Sequence, residues 1–253
     1  MRFASLGSGS RGNALLVEVG NTCILIDAGF GPREMVRRLE RLGLVGDDVD
    51  AVLVTHEHSD HIGGVFACAR RFDWEILLTH GTLAACRDDG AETRITIIDS
   101  HAPFSVGDIS VQPFPVPHDV REPVQFVLAD GVRRLGVLTD AGHVTLHMVA
   151  MLDGCEALVL ECNHDTQMLA QGNYPLALKR RIGGLWGHLD NAVAASLLSR
   201  IGHSTLRHVI AAHLSEENNC PMLAQEALSV VLGCKRDWIG IATQTDGFAW
   251  RDL

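Results

Sequence analysis

A short apolar strand followed at once by metal-binding residue types constrains this chain more than any other feature. The stretch VLVTHEHSDHIGG, residues 52–64, carries His56, His58, Asp60 and His61 directly after its apolar run. Side chains alternate along extended backbone, so the first two histidines point to the same side. This pattern predicts ligands for two adjacent metal ions rather than a surface loop that is merely rich in histidine.

Three further polar residues end apolar runs in the same way. His118 follows VQPFPVP, Asp140 ends LGVLT, and His213 ends HVIAA. A lone histidine in such a place is more often an ordinary surface or core residue than a ligand. Together with the first motif, however, the three complete a coherent set of candidate metal ligands. The sequence therefore predicts that these strand ends converge on one site.

Composition narrows the class of protein. The chain has 253 residues and a formal net charge of −10, which argues against a basic coat for general nucleic-acid binding. Its seven cysteines form no C-x-x-C pair and are expected to be reduced thiols. The sequence shows no signal-peptide pattern and no apolar run of about 20 residues. We therefore expect a cytoplasmic protein that does not enter a membrane.

Strand-like and helix-like segments alternate along the chain. Apolar runs such as TCILID, EILLT, QFVLA and EALVLE are typical of strands, whereas PREMVRRLERLG, HVTLHMVAML and NAVAASLLSR are amphipathic. No segment rich in Pro, Gly or Ser marks a domain boundary. The pattern predicts a single α/β (α+β) domain, residues 1–253, with sheets covered by helices.

One internal repeat of a short motif is informative. The segments ILIDAG, residues 24–29, and LTDAG, residues 138–142, both end an apolar strand with Asp-Ala-Gly. This favours two similar halves whose strand ends meet at one site. Asp27 is then the counterpart of Asp140, and it either orients a ligand histidine or caps turns as a buried carboxylate.

The segment GSGSRG, residues 7–12, imitates a dinucleotide-binding motif. It matches G-x-G-x-x-G, and Asp27 lies twenty residues after its first glycine. That motif must open a helix whose N-terminus meets a pyrophosphate. Here the strand pattern NALLVEV follows, so the glycines are predicted to form a hairpin loop.

Later segments add candidates for catalysis and for contact with a substrate. Glu161 ends a strand pattern, and His188 stands just before a helix pattern. His164 either contacts substrate or makes a structural hydrogen bond. The hydroxyl or backbone N–H of Ser215 can hold a phosphate oxygen. Lys179, Arg180 and Arg181 form a basic run that is either a phosphate-backbone track or a solvated helix face.

Eight segments in order along the chain resemble one family. They are GSGSxGNA, THEHSDHIGG, PHD, TDAG, LECNHD, YPLALKRRI, GHLDN and HLSEENN. This set resembles the metallo-β-lactamase superfamily, and within it the YycJ/WalJ-type exonuclease branch with its ribonuclease Z-like relatives. The resemblance spans about residues 3–220. Asp190 departs from the serine that is more frequent at its position in that branch.

The resemblance implies an αββα sandwich of two mixed sheets flanked by helices, with the site at one edge. In that family two metal ions lie side by side and a carboxylate bridges them. Carried over by position, one ion is held by His56, His58 and His118, the other by Asp60, His61 and His213, with Asp140 as the bridge. Zn²⁺ and Mn²⁺ both accept such ligands, and no thiolate decides between them.

The function implied is two-metal phosphodiester hydrolysis, with DNA degraded from the 5′ end of the double strand by a metal-bridged hydroxide. Asp60 orients or deprotonates the attacking group. By resemblance to ribonuclease Z-like enzymes, His188 donates a proton to the leaving oxygen, and Glu161 keeps that histidine oriented and charged. The expected partner is therefore a nucleic acid, DNA.

Two other functions stay open. A small-molecule hydrolase of the same superfamily, either a cyclic phosphodiesterase or a thioester or lactone hydrolase, is favoured by the low basicity of the chain. The basic run at residues 179–181 favours a nuclease instead. A di-iron redox protein usually carries more carboxylate ligands and a flavin module, neither of which is visible here, but Glu57 lies where an additional ligand could arise. The sequence does not predict an oligomeric state.

Overall fold

Two β-sheets packed face to face make up the centre of the molecule in a computed structural model that describes residues 1–88 and 90–253. Within those residues each sheet contains seven strands. The strands are β1 (Arg2–Gly7), β2 (Ala14–Val19), β3 (Thr22–Ile26), β4 (Ala51–Leu53), β5 (Glu75–Thr79), β6 (Arg94–Ile98), β7 (Phe104–Val106), β8 (Ile109–Pro115), β9 (Val124–Ala129), β10 (Arg134–Leu138), β11 (Ala157–Glu161), β12 (His208–Ala212), β13 (Gly240–Ile241) and β14 (Phe248–Asp252).

Helices cover the outer faces of both sheets, which confirms the predicted αββα sandwich. They are α1 (Pro32–Glu40), α2 (Ser59–Ile62), α3 (Val65–Phe72), α4 (His80–Ala85), α5 (Leu146–Leu152), α6 (Thr166–Gln171), α7 (Leu176–Ile182), α8 (Asn191–Ser199) and α9 (Pro221–Leu232). One sheet has the order β14-β1-β2-β3-β4-β5-β6 and the other β13-β12-β11-β10-β9-β8-β7.

The alternation of side chains explains why the strands read as continuous apolar runs. Leu15 and Val17 of β2 face the core between the two sheets, whereas Leu16 of the same strand faces the core under the helices. Strands covered on both faces bury every position. The sandwich therefore contains three apolar layers, one between the sheets and one outside each sheet.

Strand direction brings the polar strand ends to one edge. Strands β3 to β6 are mutually parallel in the first sheet, as are β10 to β13 in the second. Strand β8 runs the same way as β10, because each is antiparallel to β9. The carboxyl ends of these strands are the places where the sequence predicts ligands. Ligands commonly bind at such an edge in sheets built this way.

The glycine-rich loop after β1 is the hairpin that the sequence predicts. Strands β1 and β2 pair antiparallel, and residues 8–13 connect them. Several short elements were not predicted, namely β7, β14, α4, α6 and α7. All seven cysteines are free thiols, as expected. Among the described residues, no helix is both long enough and apolar enough to cross a membrane.

Gly64 lets the histidine-rich turn lie directly against the chain that follows β3. Its N–H donates to the Ala28 carbonyl at 2.7 Å. A Cβ at position 64 would lie 1.9 Å from the Phe30 carbonyl oxygen. Because backbone atoms on both sides hold this contact, no side-chain rotation can relieve the clash.

We predict that Gly64→Ala lowers the free energy of unfolding of the metal-free protein by at least about 2 kcal/mol, the scale of overpacking in a close-packed interior. Urea denaturation measures the change. Gly31→Ala is the matched control, because a Cβ there meets nothing within 4 Å and should shift stability by less than about 1 kcal/mol. Equal effects of the two substitutions would contradict the steric explanation.

Candidate metal centre

The seven polar side chains that the sequence places at strand ends meet at one edge of the sandwich. They follow strands of both sheets, β4 in one and β8, β10 and β12 in the other: His56, His58, Asp60, His61, His118, Asp140 and His213. Their candidate ligand atoms form overlapping groups whose members lie within 4.8 Å of one another. The structure therefore brings all seven predicted residues together.

Three histidines direct ring nitrogens at a common point. The Nδ1 atom of His58 lies 3.1 Å from His56 Nε2 and 3.2 Å from His118 Nε2. Tetrahedral coordination with metal–nitrogen bonds of about 2.0–2.1 Å separates two nitrogens by about 3.3 Å. The spacing of these three nitrogens therefore fits a divalent cation.

Hydrogen bonds behind two of the rings fix which nitrogen carries the proton. The Thr55 hydroxyl lies 2.8 Å from Asp27 Oδ2 and 2.9 Å from His56 Nδ1. Since that hydroxyl has one proton and the carboxylate accepts it, the hydroxyl accepts from His56 Nδ1–H. Asp27 also accepts from His61 Nδ1 at 2.7 Å. Both rings are left with an Nε2 lone pair that faces the site.

His118 is fixed in the same way from the other sheet. Its Nδ1 donates to the Gly187 carbonyl oxygen at 2.9 Å. A carbonyl can only accept, so the Nε2 of this buried ring also carries a lone pair. Hydrogen bonds to the opposite nitrogen commonly orient imidazoles that bind metals.

The carboxylates complete a second group beside the first. The Oδ2 of Asp60 lies 3.4 Å from His61 Nε2 and 3.3 Å from His213 Nε2. The Oδ2 of Asp140 lies 2.9 Å from His61 Nε2 and, among the described residues, is buried without a hydrogen-bond partner. Two lone pairs that face each other in a buried site require a proton or a cation between them. The donor set therefore fits divalent metal ions.

Burial keeps two of the histidines neutral. It lowers the pKa of His58 to about 4, with the His118 ring as the next cause. It also lowers the pKa of His56 well below the usual value, together with the neighbouring His61. Neutral imidazoles are the form that binds metals.

The carboxylates are ionised despite their burial. Burial raises the pKa of Asp60 and of Asp140, but His61 and His213 outweigh it and hold the pKa of both carboxyls below the usual value. Burial lowers the pKa of His61, but Asp140 and Asp27 outweigh it and raise that pKa. Without an ion, the site therefore favours a proton on a ligand nitrogen, for which a metal competes.

The buried Glu161 and the partly exposed His188 form a hydrogen-bonded pair next to Asp140. Glu161 Oε1 accepts from His188 Nδ1 at 2.8 Å, and Oε2 accepts from the backbone N–H of Ala141 and Leu189 at 2.9 and 3.2 Å. Burial lowers the pKa of His188, but hydrogen bonds to Asp140 and Glu161 outweigh it and raise this pKa to about 10. The Glu161 carboxylate thus orients the ring of His188, the residue that the sequence indicates as the candidate proton donor.

A cleft of about 330 Å³ lies over the cluster, and His188 lines it together with Asp60 and Asp140. Of the basic run on α7, only Arg181 lines this cleft. Its Nε donates to Asp119 Oδ2 at 2.5 Å, and its Nη2 lies 3.4 Å from His58 Nε2.

The other two members of the basic run lie on the far side of α7. Lys179 Nζ donates to the Ala170 carbonyl at 2.6 Å. Together with Arg180 and the buried His164, it lines a separate pocket. The run is therefore a helix with one cation at the metal cleft rather than a continuous basic surface there.

Ser215 and Asp190 have local structural contacts. The Ser215 N–H donates to the Asn163 carbonyl at 2.8 Å, and its hydroxyl accepts from Asn218 N–H at 3.1 Å. These bonds close a turn outside the metal cleft. Asp190 caps the N-terminus of α8 by accepting from the N–H groups of Ala192 and Val193 at 2.7 and 2.8 Å, as its place before the helix pattern predicts.

Sequence reasoning missed Asn13, Thr55 and the Gly187 carbonyl. Asn13 ends the glycine-rich loop, and its Nδ2 lies 3.1 Å from His61 Nε2 and 3.3 Å from Asp60 Oδ2. A polar residue that closes this loop in GSGSRGN was the available signal. The Gly187 contact has no sequence signal, since any residue offers a carbonyl.

Comparisons with known proteins point to one family. The family described as "Beta-lactamase superfamily domain" matches residues 22–214. The chain is 37% identical to "Exodeoxyribonuclease YycJ" of Bacillus anthracis over 96% of this chain and 93% of the relative. It is 31% identical to "Exodeoxyribonuclease WalJ" of Streptococcus pneumoniae over 88% of this chain and 85% of the relative.

Solved structures share the fold at lower identity. The metallo-β-lactamase fold protein YhfI of Bacillus subtilis superposes with a TM-score of 0.74 at 15% identity, over 99% of this chain and 98% of that one. Zn²⁺-bound PqqB of Methylobacterium extorquens gives a TM-score of 0.74 at 20% identity over both full chains. At these identities the likeness supports the fold alone.

We predict that Asp27→Asn weakens Zn²⁺ binding by about 10–100-fold, measured by competition with a chromophoric chelator. The amide presents an N–H to His61 Nδ1, so the neutral ring must carry its proton on Nε2, the nitrogen that faces the metal site. Asp50→Asn is the control, because its carboxylate accepts from Cys23 N–H at 2.8 Å next to the opposite end of β4, away from the metal centre. Unchanged Zn²⁺ affinity in Asp27→Asn would show that this carboxylate does not set the tautomer.

Proposed function

The chain belongs to the metallo-β-lactamase superfamily, and from that premise we propose that it is a two-metal exodeoxyribonuclease that degrades double-stranded DNA from its 5′ ends. The observation that carries the proposal is a cluster of seven inward-facing ligand groups beside the Glu161–His188 pair. It lies in a chain 37% identical, over 96% of its length, to a protein named as an exodeoxyribonuclease.

The ligands divide between two ions. His56, His58 and His118 would hold one, Asp60, His61 and His213 would hold the other, and Asp140 would serve both. Imidazole with carboxylate suits Zn²⁺ or Mn²⁺, and the set contains no thiolate. When bound, such ions supply Lewis acidity for phosphate oxygens and a water activated for attack.

Hydrolysis of the diester adds water across the P–O3′ bond. The water oxygen bonds to phosphorus, the P–O3′ bond breaks, and the departing oxygen takes up one proton. Asp60 orients the water or accepts its proton. His188 supplies a proton to the leaving oxygen from Nε2, because Glu161 holds the other nitrogen at 2.8 Å. The products are a chain with a 5′-phosphate and a nucleoside or nucleotide with a 3′-hydroxyl.

Arg181 is the positively charged side chain of α7 that lines the cleft, and it binds a phosphate oxygen next to the scissile group. Its ion pair with Asp119, Nε to Oδ2, holds the guanidinium in place without a substrate. Under this proposal Lys179, Arg180, His164 and Ser215 do not touch the scissile phosphate.

A cyclic phosphodiesterase or another small-molecule hydrolase of the superfamily is the second candidate. The net charge of −10 and the placement of two basic residues away from the cleft favour it. Both candidates use the same ligands, so the substrate alone distinguishes them.

An assay with end-labelled DNA and RNA, single- and double-stranded, beside 2′,3′- and 3′,5′-cyclic nucleotides tests the proposal in Mn²⁺ or Zn²⁺. We expect the wild type to shorten 5′-phosphorylated duplex DNA from its 5′ end, and Asp60→Ala to have no activity. If the duplex stays intact while cyclic nucleotides are hydrolysed, the nuclease proposal is wrong and the protein is a small-molecule hydrolase.

We further predict that His188→Ala lowers kcat on DNA by about 10²–10⁴-fold but lowers kcat on a p-nitrophenyl phosphodiester by less than about tenfold. The nitrophenolate leaves without a proton, whereas a deoxyribose oxygen does not. Steady-state kinetics on both substrates measure the difference, and metal content is the control. An equal loss on both substrates with unchanged metal content would exclude His188 as the acid.

A further inference from the structure

A large apolar side chain lies exposed directly before Gly187 and His188, two residues that line the cleft. Trp186 is 60% exposed and the preceding Leu185 is 69% exposed, in the loop 183–187 between α7 and His188. Together the two side chains form an exposed apolar surface, and tryptophan offers more area for a binding partner to cover than other side chains do. The Glu161–His188 pair does not use this side chain.

The loop that carries Trp186 is held in place by the site itself. The Gly187 carbonyl accepts from His118 Nδ1 at 2.9 Å, and the Leu185 carbonyl accepts from His143 Nδ1 at 2.8 Å. A Cβ added at Gly142, two residues after Asp140, would lie 2.3 Å from that same Leu185 carbonyl. The exposed indole is therefore presented on a backbone that the ligand-bearing segments fix.

Two further contacts close the loop on itself and on its neighbour. The His188 N–H donates to the Ile182 carbonyl at 2.8 Å, and the Gly187 N–H donates to the Gly184 carbonyl at 3.0 Å. The His143 ring meets the indole edge-on with centroids 6.4 Å apart. A rigid aromatic group loses little conformational entropy when a ligand covers it.

From this placement we infer that Trp186 is a stacking platform for the nucleobase of the nucleoside that leaves, an inference that rests on the proposed nuclease function. His188, two residues further on, delivers the proton to the leaving oxygen, so the rim beside it is the side of the leaving nucleoside. When cleavage begins at a 5′ end and breaks P–O3′, that nucleoside is the terminal one. Every base has a π face, so stacking binds the end without reading its sequence.

A double-mutant cycle between the side chain and the base tests this inference. The substrates are two fluorescein-labelled DNA duplexes, one normal and one with an abasic sugar as its 5′-terminal nucleotide. The variants are Trp186→Ala and Trp186→Phe, with Trp238→Ala, another exposed tryptophan, as the matched control. Kd is measured by anisotropy in the metal-free protein, and kcat/KM is measured with Mn²⁺.

We expect Trp186→Ala to weaken Kd and kcat/KM for the normal duplex by about tenfold, the scale of stacking on one base. For the abasic duplex, Trp186→Ala should have the same Kd and kcat/KM as the wild type. Trp186→Phe should retain most of the affinity for the normal duplex. Trp238→Ala should bind and cleave both duplexes like the wild type. A non-zero coupling energy in Kd between Trp186 and the terminal base supports the stacking platform, whether or not the DNA is cleaved. Absence of cleavage would refute the proposed nuclease activity but not the platform. Equal losses on both duplexes, or a change of oligomeric state in Trp186→Ala alone, would overturn it.

Discussion

The mutual repulsion of buried lone pairs at the sheet edge is the constraint on which the rest of this structure depends. The Nε2 of His61 faces the Oδ2 of Asp140 at 2.9 Å, and the Nδ1 proton of the ring is bound by Asp27, so a second proton or a cation must lie between the two facing atoms. Such a cluster costs stability in a metal-free protein, because its charges and dipoles are desolvated without full pairing. Metal ions turn the same arrangement into a favourable one.

Backbone strain near the site also lowers the stability of the metal-free protein. Asp27, Asp140 and His213 take φ values of 61°, 57° and 53°, in the left-handed region that favours glycine. Each such residue costs about 1–3 kcal/mol. All three lie within two residues of the end of a parallel strand, where the turn must send the side chain into the site rather than along the sheet. The two Asp-Ala-Gly segments therefore share the backbone conformation of their aspartate as well as their sequence. Asp27 orients the candidate ligand His61, whereas Asp140 is itself a candidate ligand.

Much of this arrangement follows from local sequence pattern, and the rest does not. The seven candidate ligands could be predicted because four belong to one motif after an apolar run and the other three each end such a run, and parallel strands bring these ends together. The hairpin at residues 8–13 could be predicted because a strand pattern follows its glycines. Short elements such as β7 and α6 lack enough residues to show a period.

The features that could not be predicted from the sequence depend on contacts between residues that are distant along the chain. Successive residues of a helix point about 100° apart, so the run at 179–181 had to divide between two faces once α7 formed. Hydrogen bonds that the Thr55 hydroxyl and the Gly187 carbonyl accept set the imidazole tautomers, and neither group belongs to a ligand type.

We propose that this edge of the sandwich binds two ions, with Asp140 as a ligand common to both. The most direct measurement is the ratio of metal to protein chain, by mass spectrometry with inductively coupled plasma after equilibrium dialysis against Zn²⁺ or Mn²⁺. We expect two ions per chain for the wild type and one for His118→Ala, because this substitution leaves the second group of ligands intact. A wild type that saturates at one ion, or that binds none, would contradict it.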